Sequence, residues 1–140
     1  MVSLGYITHF DAAHYLPEYD GKCSKVHGHT WKVEVKICGD VENGNLIDFT
    51  LFKKIVEEVI SNLDHNLLNN IIVVPTAENI SQFIWDGINY ELTEHVHKII
   101  THALKNGGFK ERVNTNVKLA MVRVWESEKC YAERINTRVG

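Results

Sequence analysis

Two prolines and three cysteines are all that the 140 residues contain of either type. Three is an odd number, and Cys23, Cys38 and Cys130 lack paired spacing, so no disulfide framework is indicated and they read as thiols in a reducing compartment. Charge of one sign is also scarce: the formal net charge is -3, with Lys and Arg scattered among acids, which excludes the basic footprint of a nucleic-acid-binding surface. No apolar run approaches the ~20 residues that span a bilayer, so no membrane association is expected. The opening Met1-Val2-Ser3-Leu4-Gly5 lacks the charged and apolar regions of a signal peptide, and a cytoplasmic location is expected. Linkers and internal repeats are missing as well, which leaves residues 1–140 as a single domain. A chain of this length buries roughly two thirds of its unfolded surface unaided, so a bound metal would serve function and not act as a staple. A His-Glu-x-x-His helix is absent, which argues against a zinc hydrolase of that type.

What the chain does have is histidine, eight in all, with two of them in Cys23-Ser-Lys-Val-His27-Gly28-His29. In an extended segment His27 and His29 leave the same face, and Gly28 lets another group approach the backbone between them. A strand offers two nitrogens to one metal in this way. A catalytic zinc takes three protein ligands and keeps a fourth position open, and His14 is the best third ligand.

The periodicities give an order of β-β-α-α-β-β. Val2 to Ala13 alternates, with Leu4, Tyr6, Phe10 and Ala12 on one side and His14 continuing that parity. Leu16 to Val26 reads as a loop holding Cys23. Alternation resumes at His27, with His29, Trp31, Val33, Val35 and Ile37 sharing a face. After a turn at Gly39 to Asn45, Leu51, Ile55, Val56, Val59, Ile60 and Leu63 recur at helical spacing, capped by Asp48 or Thr50 and ending near Asn62. A second helix begins after Pro75, with Thr76 as cap and Glu78 at the positive end of the dipole. It runs to about Leu104, and Asn106-Gly107-Gly108 stops it. His95, His97 and His102 lie along it as part of a solvated face. Val117 to Glu126 alternates, with Ala120, Val122, Val124 and Glu126 on one face, and a last strand covers Tyr131 to Val139. The fold expected is α+β: four antiparallel strands with two helices on one face. The opposite face also carries apolar residues, and oligomerisation would cover it.

Five separated motifs, in order, carry a resemblance over nearly the whole length, with a sixth segment near the end. They are Phe10-x-Ala12-Ala13-His14, Cys23-x-x-x-His27-Gly28-His29, Leu46-Ile47-Asp48-Phe49 after Gly44, Leu63-Asp64-His65-x-x-Leu68-Asn69, and Pro75-Thr76-Ala77-Glu78-Asn79, with Val124-Trp125-Glu126 near the end. In these the chain resembles the family of 6-pyruvoyltetrahydropterin and 6-carboxytetrahydropterin synthases. The resemblance implies the tunnelling fold, in which subunits pool their sheets into a barrel with active sites at subunit interfaces, as a hexamer or another multiple. Three residues between Cys23 and His27 favour the carboxy enzyme of 7-deazapurine (queuosine-type) synthesis over the pyruvoyl enzyme. Asn45 stands where the family usually has methionine, Ser127 to Glu133 departs from its usual Thr-Pro-Thr-Ser-Trp-Ala-Glu, and the segment from about Glu91 to Asn116 is longer than usual.

By resemblance the substrate is 7,8-dihydroneopterin triphosphate, and the products are 6-carboxy-5,6,7,8-tetrahydropterin, triphosphate and acetaldehyde. Zinc on His14, His27 and His29 would act as a Lewis acid toward the side-chain oxygens. Cys23 would take the proton, since a thiol near a metal or a cationic imidazole gains thiolate character; a fourth metal ligand is its other reading. Asp64 and His65 would form the proton relay. Adjacent residues usually point apart, so they are expected to act on a site shared with a neighbouring subunit. Without the resemblance, the pair reads as a helix C-terminus satisfying backbone groups. Glu126 would hold the pterin ring by a bidentate pairing, and Thr76 would add a contact. Two alternatives remain: a pyruvoyl-forming or related pterin side-chain lyase, and a catalytically silent zinc-binding oligomer.

Overall fold

The computed structural model describes residues 1–108 and 114–139. Residues 109–113 of the long segment noted above lie outside the described part. The elements are β1 (Val2–His14), β2 (His27–Gly39), α1 (Phe49–Ile60), α2 (Ala77–Lys105), β3 (Lys118–Trp125) and β4 (Tyr131–Ile135), with single 3-10 turns at Lys22–Ser24 and Leu68–Asn70. The four strands form one antiparallel sheet in the order β1-β2-β3-β4. This is the expected α+β architecture and element order.

Alternation assigns the two faces. On β1 and β2 the residues turned toward the helices include Phe10, Ala12, Trp31, Val33, Val35 and Ile37, all buried. They meet Phe52, Ile55, Val56, Val59 and Ile60 of α1 and Ile80, Ile84, Ile88 and Leu92 of α2. Each of the larger of these side chains contributes about 1.5–3 kcal/mol by leaving water. The helices begin where side chains accept orphan backbone donors: Asp48 from the Thr50 N–H at 2.7 Å, and Thr76 from the Asn79 N–H at 3.2 Å. α2 stops at Gly107 and Gly108, whose φ values of 80° and 105° suit residues without Cβ, and the Gly108 N–H closes onto the Ala103 carbonyl at 2.7 Å.

Two strand expectations need correction. The register of β2 against β3 shifts between Lys36↔Met121 and Ile37↔Leu119, so Ala120 is the extra residue of a bulge. Leu119 therefore takes the buried position in line with Val122 and Val124, and Ala120 leaves their face. β4 ends at Ile135 and does not reach Val139. Asn136 turns the chain there: its amide donates to the Leu119 carbonyl at 3.0 Å and its Oδ1 accepts the Arg138 N–H at 3.0 Å.

The face away from the helices is mixed. Ile7, Tyr131 and Ile135 are each more than half exposed. Between them Arg123 pairs with Glu133 and Glu34 and lies over the Tyr131 ring, while Lys32 sits 4.5 Å from the Trp125 centroid.

Candidate metal centre

The antiparallel pairing of β1 with β2 places His14 directly opposite His27, and Ala12 opposite His29. All three imidazoles lie at one end of the sheet on the helix-facing side, and their rings meet edge to face at centroid distances of 4.6, 4.8 and 5.1 Å. β3 ends beside them, and its continuation brings in Glu126, whose N–H bonds the Cys130 carbonyl at 3.2 Å across the turn to β4. One donor atom from each of His14, His27, His29 and Glu126 lies within 4.8 Å of every other.

Backbone carbonyls fix which nitrogen faces inward. His14 Nδ1 lies 2.7 Å from the Pro75 carbonyl, and His27 Nδ1 lies 2.7 Å from the Lys25 carbonyl. A carbonyl only accepts, so each Nδ1 carries the hydrogen and each Nε2 is left with a lone pair. Those two Nε2 atoms face each other at 3.0 Å. With both rings neutral neither can donate, and a cation between the two lone pairs turns the approach from repulsion into attraction. His29 Nε2 is buried without a hydrogen-bond partner, although Glu126 Oε1 is 3.1 Å away, because the contact lies outside hydrogen-bond geometry. Burial pushes the His29 imidazole below its ordinary pKa, with His14 and His27 adding to the effect and Glu126 opposing it. A neutral imidazole is the ligating form. The donor set, three imidazole nitrogens and one carboxylate oxygen, suits zinc or a neighbouring transition metal.

The relay pair is arranged differently from expectation. Asp64 and His65 do not point apart: Asp64 Oδ2 is 2.9 Å from His65 Nδ1. His65 has a φ of 58°, a left-handed conformation that turns adjacent side chains together, and its N–H bonds the Asp11 carbonyl at 2.7 Å. The Asp11 N–H in turn holds Asp64 Oδ1 at 3.0 Å, and Thr30 donates to Asp11 Oδ1 at 2.5 Å. The pair is thus docked on β1 as well as closing α1. Its hydrogen bond to the Asp11 backbone, then that to His65, holds the Asp64 carboxyl below its ordinary pKa, and the Asp64 hydrogen bond raises that of His65. His65 and His29 line the same open cleft of about 590 Å³, together with Asp11, Ala13, Gly28 and Asn66.

Cys23 is exposed on the 3-10 turn before β2 and is not part of the four-donor cluster. Cys130 is exposed and Cys38 buried. Thr76 caps α2 beside Pro75, so the helix start and the His14 carbonyl contact are one local structure. Of the α2 histidines, His97 and His102 are exposed as expected, whereas His95 is half-buried and lines a separate cavity beside Leu46 and Ile47. Sequence reasoning missed the orienting carbonyls of Pro75 and Lys25, and the Asp11 and Thr30 contacts. It also put Glu126 with the pterin and not with the imidazoles. Only the parity of β3 carried to its end, against that of β2, could have signalled the last point.

The model of the 6-pyruvoyl tetrahydropterin synthase family matches residues 4–136. A putative 6-carboxy-5,6,7,8-tetrahydropterin synthase of Archaeoglobus fulgidus is 54% identical over 78 residues, 55% of this chain and 67% of that protein. Another, from Pyrococcus horikoshii, is 32% identical over 135 residues, 89% of this chain and 83% of its own. The dihydroneopterin monophosphate aldolase of Pyrococcus furiosus is 39% identical over 87 residues, 62% and 75% of the two chains. In fold, the 6-pyruvoyl tetrahydropterin synthase of Caenorhabditis elegans superimposes with a TM-score of 0.70 at 21% identity, covering 97% of this chain and 96% of that one. The motifs, the sheet with its two helices and a match from residue 4 to residue 136 agree, and the chain belongs to the 6-pyruvoyl tetrahydropterin synthase family.

Proposed function

We propose that the chain is a zinc-dependent 6-carboxy-5,6,7,8-tetrahydropterin synthase. It converts 7,8-dihydroneopterin triphosphate and water to 6-carboxytetrahydropterin, triphosphate and acetaldehyde, in 7-deazapurine (queuosine-type) synthesis. The observation that carries the reading is the approach of two lone-pair nitrogens, His14 Nε2 and His27 Nε2, to 3.0 Å, beside an orphaned His29 Nε2. Such a cluster is stable with a divalent cation in it. His14, His27 and His29 would hold the zinc, which when bound supplies Lewis-acid polarisation of the substrate's side-chain oxygens.

The remaining roles belong to the chain. Cys23 takes the proton from the side-chain carbon; its exposure leaves it free to meet substrate. Asp64 fixes the tautomer of His65 by the 2.9 Å contact at Nδ1, so Nε2 is the nitrogen that exchanges protons. The His65 ring, 79% exposed, is available to a site completed by a second copy of the chain. Glu126 and Thr76 are the groups for the pterin's polar edge. The cytoplasm is the expected location; no helix among the described residues is long and apolar enough to cross a membrane.

Incubation with 7,8-dihydroneopterin triphosphate, followed by mass spectrometry of the pterin product, tests the reading. A 6-carboxytetrahydropterin mass with acetaldehyde released supports it. The kinship with the Pyrococcus furiosus aldolase favours a second reading, pterin side-chain cleavage of a monophosphate substrate, and cleavage of dihydroneopterin monophosphate without carboxylate formation in a parallel incubation would establish it. A pyruvoyl product, or bound metal with no turnover, would each overturn the proposal.

A further inference from the structure

We propose that Glu126 is itself a metal ligand in the ligand-free protein: it holds the fourth position, which the substrate's oxygen needs, and leaves it when the pterin arrives. This inference rests on the metal-dependent reading above. Three observations carry it. First, three of the six donor separations are close to those between ligands of one ion, and all six lie within 4.8 Å. Donor atoms 2.0–2.1 Å from a tetrahedral zinc lie ~3.3 Å from one another. His14 Nε2 to His27 Nε2 is 3.0 Å, His29 Nε2 to Glu126 Oε1 is 3.1 Å, and His14 Nε2 to Glu126 Oε1 is 3.5 Å.

Second, no hydrogen bond accounts for where the carboxylate lies. Among the described residues no donor hydrogen-bonds it, and its 3.1 Å contact with His29 fails hydrogen-bond geometry, so a hydrogen bond from His29 does not explain the approach. His14 Nε2 is lone-pair-bearing because Nδ1 serves the Pro75 carbonyl, so this second contact sets acceptor against acceptor. A shared cation turns both contacts from repulsion into coordination. Third, the carboxylate can leave. The imidazoles sit on strands paired through their length, and His14 is 1% exposed, whereas Glu126 follows the last residue of β3 and its side chain is 36% exposed. Of the four donors it is the one on the least constrained backbone, and once displaced it lies beside the site as a free acceptor for the donor edge of a pterin.

The test uses the full-length protein stripped of metal and loaded with cobalt, whose visible spectrum reports coordination number. Without pterin, wild type should give the intense absorption of a four-coordinate ion. Glu126→Ala should shift that spectrum and lower zinc affinity by more than the ~10–100-fold seen when a residue merely orients a ligand. An unchanged spectrum in Glu126→Ala overturns the inference. Addition of neopterin to wild type should change the spectrum; neopterin that binds by fluorescence and leaves the spectrum unaltered also overturns it. If Glu126→Ala fails to fold, X-ray absorption of the zinc-loaded wild type decides by the presence or absence of a carboxylate oxygen at bonding distance. Turnover is read separately, by the product assay proposed for the function. A four-coordinate, Glu126-dependent spectrum with no carboxytetrahydropterin formed would sink the function and leave the ligand, and the converse pairing would do the opposite.

Discussion

At His65 a φ of 58° brings two adjacent side chains to 2.9 Å, and the pairing sets a measurable proton affinity. The Asp64 hydrogen bond raises the His65 pKa above the ordinary value of ~6.5, so the imidazole should titrate above that value, seen by NMR of the ring protons. The raised value means the pair's favourable contribution is complete below the unfolded imidazole pKa and fades as pH rises through the folded one. Asp64, held low, loses its share only as pH falls through its depressed value. Asp64→Asn should return the His65 midpoint toward the ordinary range; an unmoved midpoint would show that the contact does not govern the ring. At Cys23 the expectation separates base from ligand. Because the thiol stands outside the four-donor cluster, Cys23→Ala should keep its full metal content while turnover falls by about 100- to 10,000-fold. Loss of the metal would make the thiol a ligand, and a loss of activity below about tenfold would remove it as the base.

At the scale of elements, patterns in the chain were legible wherever one periodicity ran uninterrupted. Phe10, Ala12 and His14 on β1, and the fourfold recurrence of Ile80, Ile84, Ile88 and Leu92 on α2, translate directly into buried faces. The three imidazoles were readable for the same reason, since strand parity puts His14, His27 and His29 on one side. What escaped was set by non-local pairing: the bulge at Ala120 exists only against β2, and the end of β4 depends on Asn136 reaching back to Leu119. The φ at His65 likewise follows from its docking on Asp11. The packing of α1 on α2 gives a direct stability prediction. A Cβ at Gly87 would lie 2.9 Å from Val59 Cγ1 and 3.1 Å from Cγ2, so Gly87→Ala forces the Val59 side chain or the helices to shift. It should cost about 1–3 kcal/mol despite the better helix propensity of alanine. Urea titration should show a lower midpoint at unchanged slope, and a higher midpoint would contradict the packing.

Among the described residues the sheet has two edges, β4 and β1, the latter taken up at its Asp11–Ala13 end by residues 64–67, and an outer face where Ile7, Tyr131 and Ile135 stand exposed around the Arg123–Glu133 pair. Exposed strand edges of this length favour pairing with further copies. Sedimentation velocity should therefore give a closed multiple of the 16.0 kDa chain, and a fully active monomer would contradict the shared site. The central claim is that a metal held by His14, His27 and His29 is required for chemistry on a pterin side chain. It is tested most directly by stripping the protein with a chelator, restoring zinc in steps, and recording both bound metal and carboxytetrahydropterin formed from 7,8-dihydroneopterin triphosphate. The account predicts no product without metal, product rising in proportion to one zinc per chain, and no restoration in His27→Ala. Product formed at an undiminished rate by the metal-free protein would contradict it.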